Sequence, residues 1–137
     1  MNEGEVRDLL ASFGEPHSVD TVELVIPPGE PPEHRTVILS AHTVGSKLWS
    51  HSAFKGVNVI CTLGPVGLIA FSVSLIRDGG RRAVYLPSAK LNGPVVDTTG
   101  AGDCFTGYFV SGMMGLKRGH KGDLVGVLNA SIKVCPY

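Results

Sequence analysis

Val6, Leu9, Leu10 and Phe13 recur at i, i+3, i+4 and i+7. That spacing places one apolar stripe along a helix over residues 2–13. Asn2 suits the N-cap, Glu5 stands three residues later as in a capping box, and Gly14 supplies the C′ stop. Val22, Leu24 and Ile26 alternate with other residues and predict a short strand over residues 21–26. Four prolines and a glycine in residues 27–32 then forbid regular structure and predict a loop. Residues 36–40 read as a strand, followed by a weak helix to about Phe54 that Gly56 ends. Residues 57–63 form an apolar, β-branched run suited to a buried strand. A turn over residues 64–67 leads to a strand over 68–73, a hairpin turn at Asp78-Gly79-Gly80 and a third strand over 83–86. An extended stretch from Pro94 runs into a helix that reaches about Met114 and buries Phe105, Phe109 and Met113. Asp123 caps a last helix carrying Leu124, Val127 and Leu128, which Pro136 stops. Strands and helices mixed in one short chain predict an α/β fold.

Composition narrows the functional classes. The 137 residues suit one small domain, and 43% hydrophobic with 18% charged residues is a globular balance. Twelve basic side chains balance twelve acidic ones, which argues against a nucleic-acid partner. The neutrality hides an asymmetry: residues 1–33 hold eight acidic side chains and one basic, and residues 34–137 hold eleven basic and four acidic. The basic part suits a polyanionic small molecule or the chain's own acidic segment. No apolar run is long enough for a membrane span, and the first residues lack a basic and then apolar leader, so a cytoplasmic protein is expected. Cys61, Cys104 and Cys135 are widely spaced and read as free thiols in a reducing compartment, with Cys104 buried in its helix. The five histidines, at 17, 34, 42, 51 and 120, show no ligand spacing and are expected on surfaces or loops.

The chemistry concentrates in Asp97-Thr98-Thr99-Gly100-Ala101-Gly102-Asp103. Three small residues lie where a loop becomes a helix, and the first N–H groups of a helix lack intrahelical partners. With the helix dipole they form an anion site that a phosphate can approach closely. A carboxylate in that first turn would compete with the anion unless it serves as a base, taking a proton from a nucleophile that attacks the phosphorus. A P-loop would need Gly-Lys-Ser/Thr after the glycines, and a dinucleotide fingerprint would need a glycine where Phe105 stands. An ordinary N-capped helix with a tight turn is the other reading of the same residues.

The whole string resembles the C-terminal signature of the PfkB/ribokinase family of carbohydrate kinases, D-T-x-G-A-G-D, at all seven positions, and Phe105 and Gly107 fit its continuation. Thr62-Leu63-Gly64-Pro65-Val66-Gly67 looks like the family's T-L-G-x-x-G turn, Asn2 and Glu5 look like its N-x-x-E element, and Tyr85-Leu86-Pro87 fits the strand that approaches the signature. The resemblance implies a ribokinase-like α/β fold, of which this chain is the C-terminal portion. Residues 1–137 form one part of the kinase domain, with an insertion around residues 15–55. Family members are much longer, and their N-terminal half supplies the sugar-binding glycines, much of the sheet and a lid, so both ends of this chain look cut.

The same resemblance assigns roles. Asp103 would be the general base, and Gly100, Ala101, Gly102 and the Asp103 amide the anion hole. Thr62, Gly64 and Gly67 would line the ATP site. Asn2 and Glu5 would act on Mg²⁺ and phosphate through water, and Asp97 with the Thr99 carbonyl on a K⁺ ion. Each has a plainer alternative: Asn2 and Glu5 as a capping box, residues 62–67 as a hairpin turn, Asp97 as a turn-stabilising carboxylate. The activity implied is transfer of the γ-phosphoryl group of ATP to a hydroxyl of a small sugar or nucleoside, with ribose the first guess. A homodimer or a partner chain would complete the site. The alternatives are a nucleotide-binding pseudoenzyme module and an inactive truncated fragment that lacks the substrate half.

Overall fold

The computed structural model describes residues 1–72, 81–90 and 100–134. The chain divides into two units, Met1–Leu86 and Pro87–Tyr137.

In the first unit, helix α1 (Glu3–Phe13) begins with the expected capping box and buries Val6 and Leu10. Strand β1 (Val22–Val25) follows. Helix α2 (Pro32–Ser50) corrects the predicted strand over residues 36–40. The β-branched residues there suggest a strand over a short window. Over the longer stretch, the buried residues Ile38, Ala41, Val44, Gly45, Leu48 and Trp49 recur with helical spacing. Pro32 opens the helix, where the first turn has no N–H bond to lose.

Among the described residues, strands β2 (Val59–Thr62), β3 (Gly67–Phe71) and β4 (Arg81–Pro87) join β1 in a four-stranded sheet in the order β1-β4-β3-β2. β2 and β3 are antiparallel, with Val59 opposite Phe71, and β1 runs parallel to β4. β3 is buried along its whole length, which matches its unbroken apolar sequence. The first residues of the chain extend the sheet at β2: Thr62 N–H donates to Met1 O at 2.7 Å and the Met1 ammonium donates to Ile60 O at 3.1 Å.

The core of this unit lies between the sheet and the two helices, around Val6, Ile38, Leu48, Val59, Cys61, Ile69 and Phe71. Gly45 lets α2 approach β3: a Cβ there would stand 2.5 Å from the Phe71 ring. His42 stacks on the same ring at 6.0 Å, and Trp49 donates to Val57 O at 3.0 Å. The surface or loop position expected for His42 is therefore corrected. It sits within α2, and its Nε2 is buried without a hydrogen-bond partner.

In the second unit, helix α3 (Ala101–Lys117) and helix α4 (Leu124–Val134) form a hairpin. α3 outlasts its expected end at Met114. Phe105 is buried, while Phe109 and Met113 are only half-buried. Gly112 gives α4 room, since a Cβ there would stand 2.6 Å from Val127. Asp123 caps α4 as expected, accepting from Gly126 N–H at 2.8 Å. Cys61 is a free, buried thiol. Cys104 departs from both expectations, being exposed and disulfide-bonded: the inward face of α3 is set by Phe105, so position 104 points elsewhere. The hairpin turn at residues 78–80, the stretch from Pro94 and Pro136 lie outside the described residues.

Candidate functional site

Gly100 sets the entrance to α3. Its φ of 79° lies in the left-handed region that favours glycine, and no side chain caps the helix. The chain then enters the helix at once, with Cys104 N–H donating to Gly100 O at 2.8 Å and Thr106 Oγ1 donating to Gly102 O at 2.8 Å. Gly102 and Asp103 are exposed, and Ala101 is half-buried. A Cβ at Gly102 would meet nothing within 4 Å, so the backbone of the first turn is open to a ligand. Asp97 and Thr99, the expected cation ligands, lie outside the described residues.

The first unit holds the other expected residues, around the C-terminal end of β2. Leu63 N–H donates to Gly67 O at 2.8 Å, and Val66 N–H donates to Leu63 O at 3.2 Å. This closes a tight turn over residues 64–67. Gly64 (φ 57°) and Gly67 (φ 125°) both take conformations that a side chain disfavours. Space is open beside Gly64. Thr62 Oγ1 donates to Met1 O at 3.2 Å. Asn2 forms a parallel bridge to Thr62, so the structure brings Asn2 beside the end of β2. Asn2 and Glu5 satisfy each other: Glu5 N–H donates to Asn2 Oδ1 and Asn2 N–H to Glu5 Oε2, each at 2.9 Å. The capping reading of this pair is thus realised. Among the described residues no three of His, Cys, Asp or Glu gather as a metal site.

One residue at this turn escaped the sequence reading as a functional group. The buried hydroxyl of Tyr85, on β4, donates to Val66 O at 2.8 Å. Its signal was its alternation with Ala83 on a strand, which marks an inward side chain but not its target.

The sequence model described as pfkB family carbohydrate kinase matches residues 36–125. That span includes Thr62, Gly64, Gly67 and residues 97–103, and leaves Asn2 and Glu5 outside. No curated protein matches the chain. Among solved structures, the ribokinase of Cryptococcus neoformans var. grubii serotype A in complex with ADP is similar, with 38% identity and a TM-score of 0.71. The similarity covers 98% of this chain and 36% of the ribokinase, so the chain spans little more than a third of that protein's length. The seven-residue signature, the mixed α/β architecture and the family match agree, and the chain belongs to the pfkB family of carbohydrate kinases.

Proposed function

We propose that the chain is the C-terminal portion of an ATP-dependent carbohydrate kinase and carries its phosphoryl-transfer residues. One observation carries the reading. Gly100 turns the chain in a left-handed conformation into α3, and Asp103 stands in the first helical turn. Both lie inside the family match. The amides of Gly100, Ala101, Gly102 and Asp103 hold the transferring phosphoryl group, because helix N-terminal N–H groups and aligned peptide dipoles favour an anion. The Asp103 carboxylate takes the proton of the acceptor hydroxyl as its oxygen attacks the γ-phosphorus. The bond from that phosphorus to the bridging oxygen breaks, leaving ADP.

Thr62, Gly64 and Gly67 line the nucleotide. The open space beside Gly64 admits it, and the Thr62 oxygen retains lone pairs to accept a hydrogen bond. The ADP in the similar ribokinase supports a nucleotide here. Mg²⁺ neutralises phosphate charge and keeps several of its waters. Asn2 and the Glu5 oxygen that does not accept from Asn2 would hold such a water, and Asp97 with the Thr99 carbonyl would hold K⁺. The acceptor is a small sugar, ribose first, or a nucleoside.

A second reading of the same residues is a nucleotide-binding module whose acceptor site a partner chain or second copy supplies. Thermal unfolding with MgATP and K⁺ tests the shared part. A ligand that binds only the folded state adds about 2.7 kcal/mol at one hundred times its Kd. A raised midpoint supports the nucleotide site, and an unmoved one removes it from this chain. With the preceding portion of a ribokinase supplied, Asp103→Asn lowers kcat by orders of magnitude and leaves nucleotide binding intact. Near-normal turnover would remove Asp103 as the base.

A further inference from the structure

Helices α1 and α2 leave between them an open groove of about 640 Å³ that has no part in the reading above. Its floor is apolar, with Leu10 and Val44 buried there, one from each helix. Its walls are polar. Arg7 on α1 and Lys47 on α2 bring two cations, and Ser40 and Thr43 bring two hydroxyls.

Arg7 is fixed by its neighbours without being used up by them. Its Nε and Nη2 donate to Glu3 Oε1 at 3.1 and 2.6 Å, and Nη2 also donates to Ser40 Oγ at 2.8 Å. Ser40 Oγ donates in turn to Glu3 Oε1 at 2.9 Å. Among the described residues Nη1 makes no hydrogen bond, so a positioned guanidinium keeps two N–H groups for a ligand. Phosphate oxygens suit such donors. Glu3 offsets part of the Arg7 charge, so a dianion needs a second cation. Lys47 stands seven residues beyond Ser40 on α2, about 10 Å along the helix. Its Nζ lies 3.1 Å from the Glu15 carboxylate, which is 66% exposed. A surface pair of this kind contributes little, so a ligand can share either partner at small cost. Thr43, between the two cations, donates to Leu39 O at 2.9 Å and keeps its lone pairs for a ligand hydroxyl.

We propose that this groove binds a sugar phosphate. The phosphoryl group accepts from Arg7 Nη1. The sugar lies towards Lys47, with its hydroxyls on Thr43 Oγ1 and Glu15, a ring oxygen on Lys47 Nζ, and its C–H face on Leu10 and Val44. Inorganic phosphate fills only one end of such a groove, and a free sugar lacks the anion. The groove's chemistry stands without the kinase reading; that its ligand belongs to the product class of the reaction rests on that reading.

Calorimetric titration of the chain with ribose 5-phosphate, inorganic phosphate and ribose tests this. Ribose 5-phosphate is expected to bind about tenfold more tightly than either of the others, the size of one charge-assisted hydrogen bond. In two-dimensional NMR it is expected to shift the amides of Leu10, Ala11, Thr43 and Val44 and to leave those of residues 100–103 in place. Lys47→Gln, and Arg7→Lys, which keeps a partner for Glu3 but loses the fork, are each expected to weaken binding about tenfold. Both positions are at least 36% exposed, and the Tm of each variant checks that the fold is kept. The proposal is overturned if ribose 5-phosphate does not bind, if inorganic phosphate binds as tightly, if the shifts fall on residues 100–103 instead, or if both variants bind like the parent. A chain that binds ADP and leaves the groove amides unmoved by ribose 5-phosphate refutes this site alone. The reverse result counts against the nucleotide reading alone.

Discussion

Replacing Gly45 by alanine tests how α2 is seated on the sheet. Two terms oppose each other. Alanine is the better helix former by about 1 kcal/mol, so an open position would gain stability. Here the new Cβ would lie 2.5 Å from two atoms of the Phe71 ring, well inside ordinary contact. The ring is fully buried, with His42 stacked on it and Trp49 tilted against it, each at a centroid distance of 6.0 Å. It cannot swing into solvent, so relief requires α2 to move away from β3. Overpacking of this kind costs about 1–3 kcal/mol. The absence of a flexible neighbour places this case near the top of that range, leaving a net loss of about 1–2 kcal/mol once the helix gain is subtracted.

Urea unfolding of Gly45→Ala, of Phe71→Leu and of the double variant measures this. The smaller side chain at 71 should recover at least about 1 kcal/mol in the cycle, because contacting residues couple by about 0.5–3 kcal/mol. Strict additivity, or a Gly45→Ala protein as stable as the parent, would refute the argument that this glycine is required by the ring.

Asn2→Ala removes the side-chain half of the α1 capping box and should lower stability by about 1 kcal/mol, read as a fall of a few degrees in Tm. An unchanged Tm would mean the box is broken in solution. Burial pushes the Cys61 thiol up to about 11. Its folded form therefore favours the neutral thiol, the associated stability is complete below about pH 9, and it is lost as pH rises towards 11. Iodoacetamide at pH 8 should label Cys61 only after denaturant is added, and rapid labelling of the native chain would contradict its burial. Burial lowers the pKa of His42 below 6.5, against an opposing contact with the Val22 backbone. The unfolded chain binds this proton more readily, so stability is complete above about pH 6.5 and falls below it. His42→Phe should flatten the fall in Tm between pH 7 and pH 5, and an unaltered slope would assign the loss to other groups.

The parts legible in the sequence were those set by local chemistry. The α1 stripe with its Asn2 cap, the apolar runs that became β2 and β3, the glycine turn at residues 64–67 and the α3 entrance at Gly100 all announce themselves within a few residues. The segment over residues 36–40 did not, because Thr36, Val37 and Ile38 prefer strands in isolation. Only packing of the longer stripe against β3 makes them helical. Likewise Asn2 and Glu5 were recognised as a pair, but their mutual hydrogen bonds could not be told from an outward-facing ligand set without coordinates. Tyr85 reaches Val66 across 19 residues of sequence, a distance over which no periodicity carries information.

The way Met1 joins the sheet has a practical consequence for handling the protein. Its ammonium is a hydrogen-bond donor to Ile60 O, and its carbonyl receives Thr62 N–H. The parallel direction of this bridge aims any residue attached in front of Met1 along the outer edge of β2, past Asn58 and Val57. Whatever precedes Met1, a tag or more of the kinase, is therefore offered a row of backbone groups to pair with rather than free solvent, and a strand edge of this kind left uncovered promotes edge-to-edge association. A tag joined directly to Met1 should begin with a proline or a charged spacer that refuses the ladder.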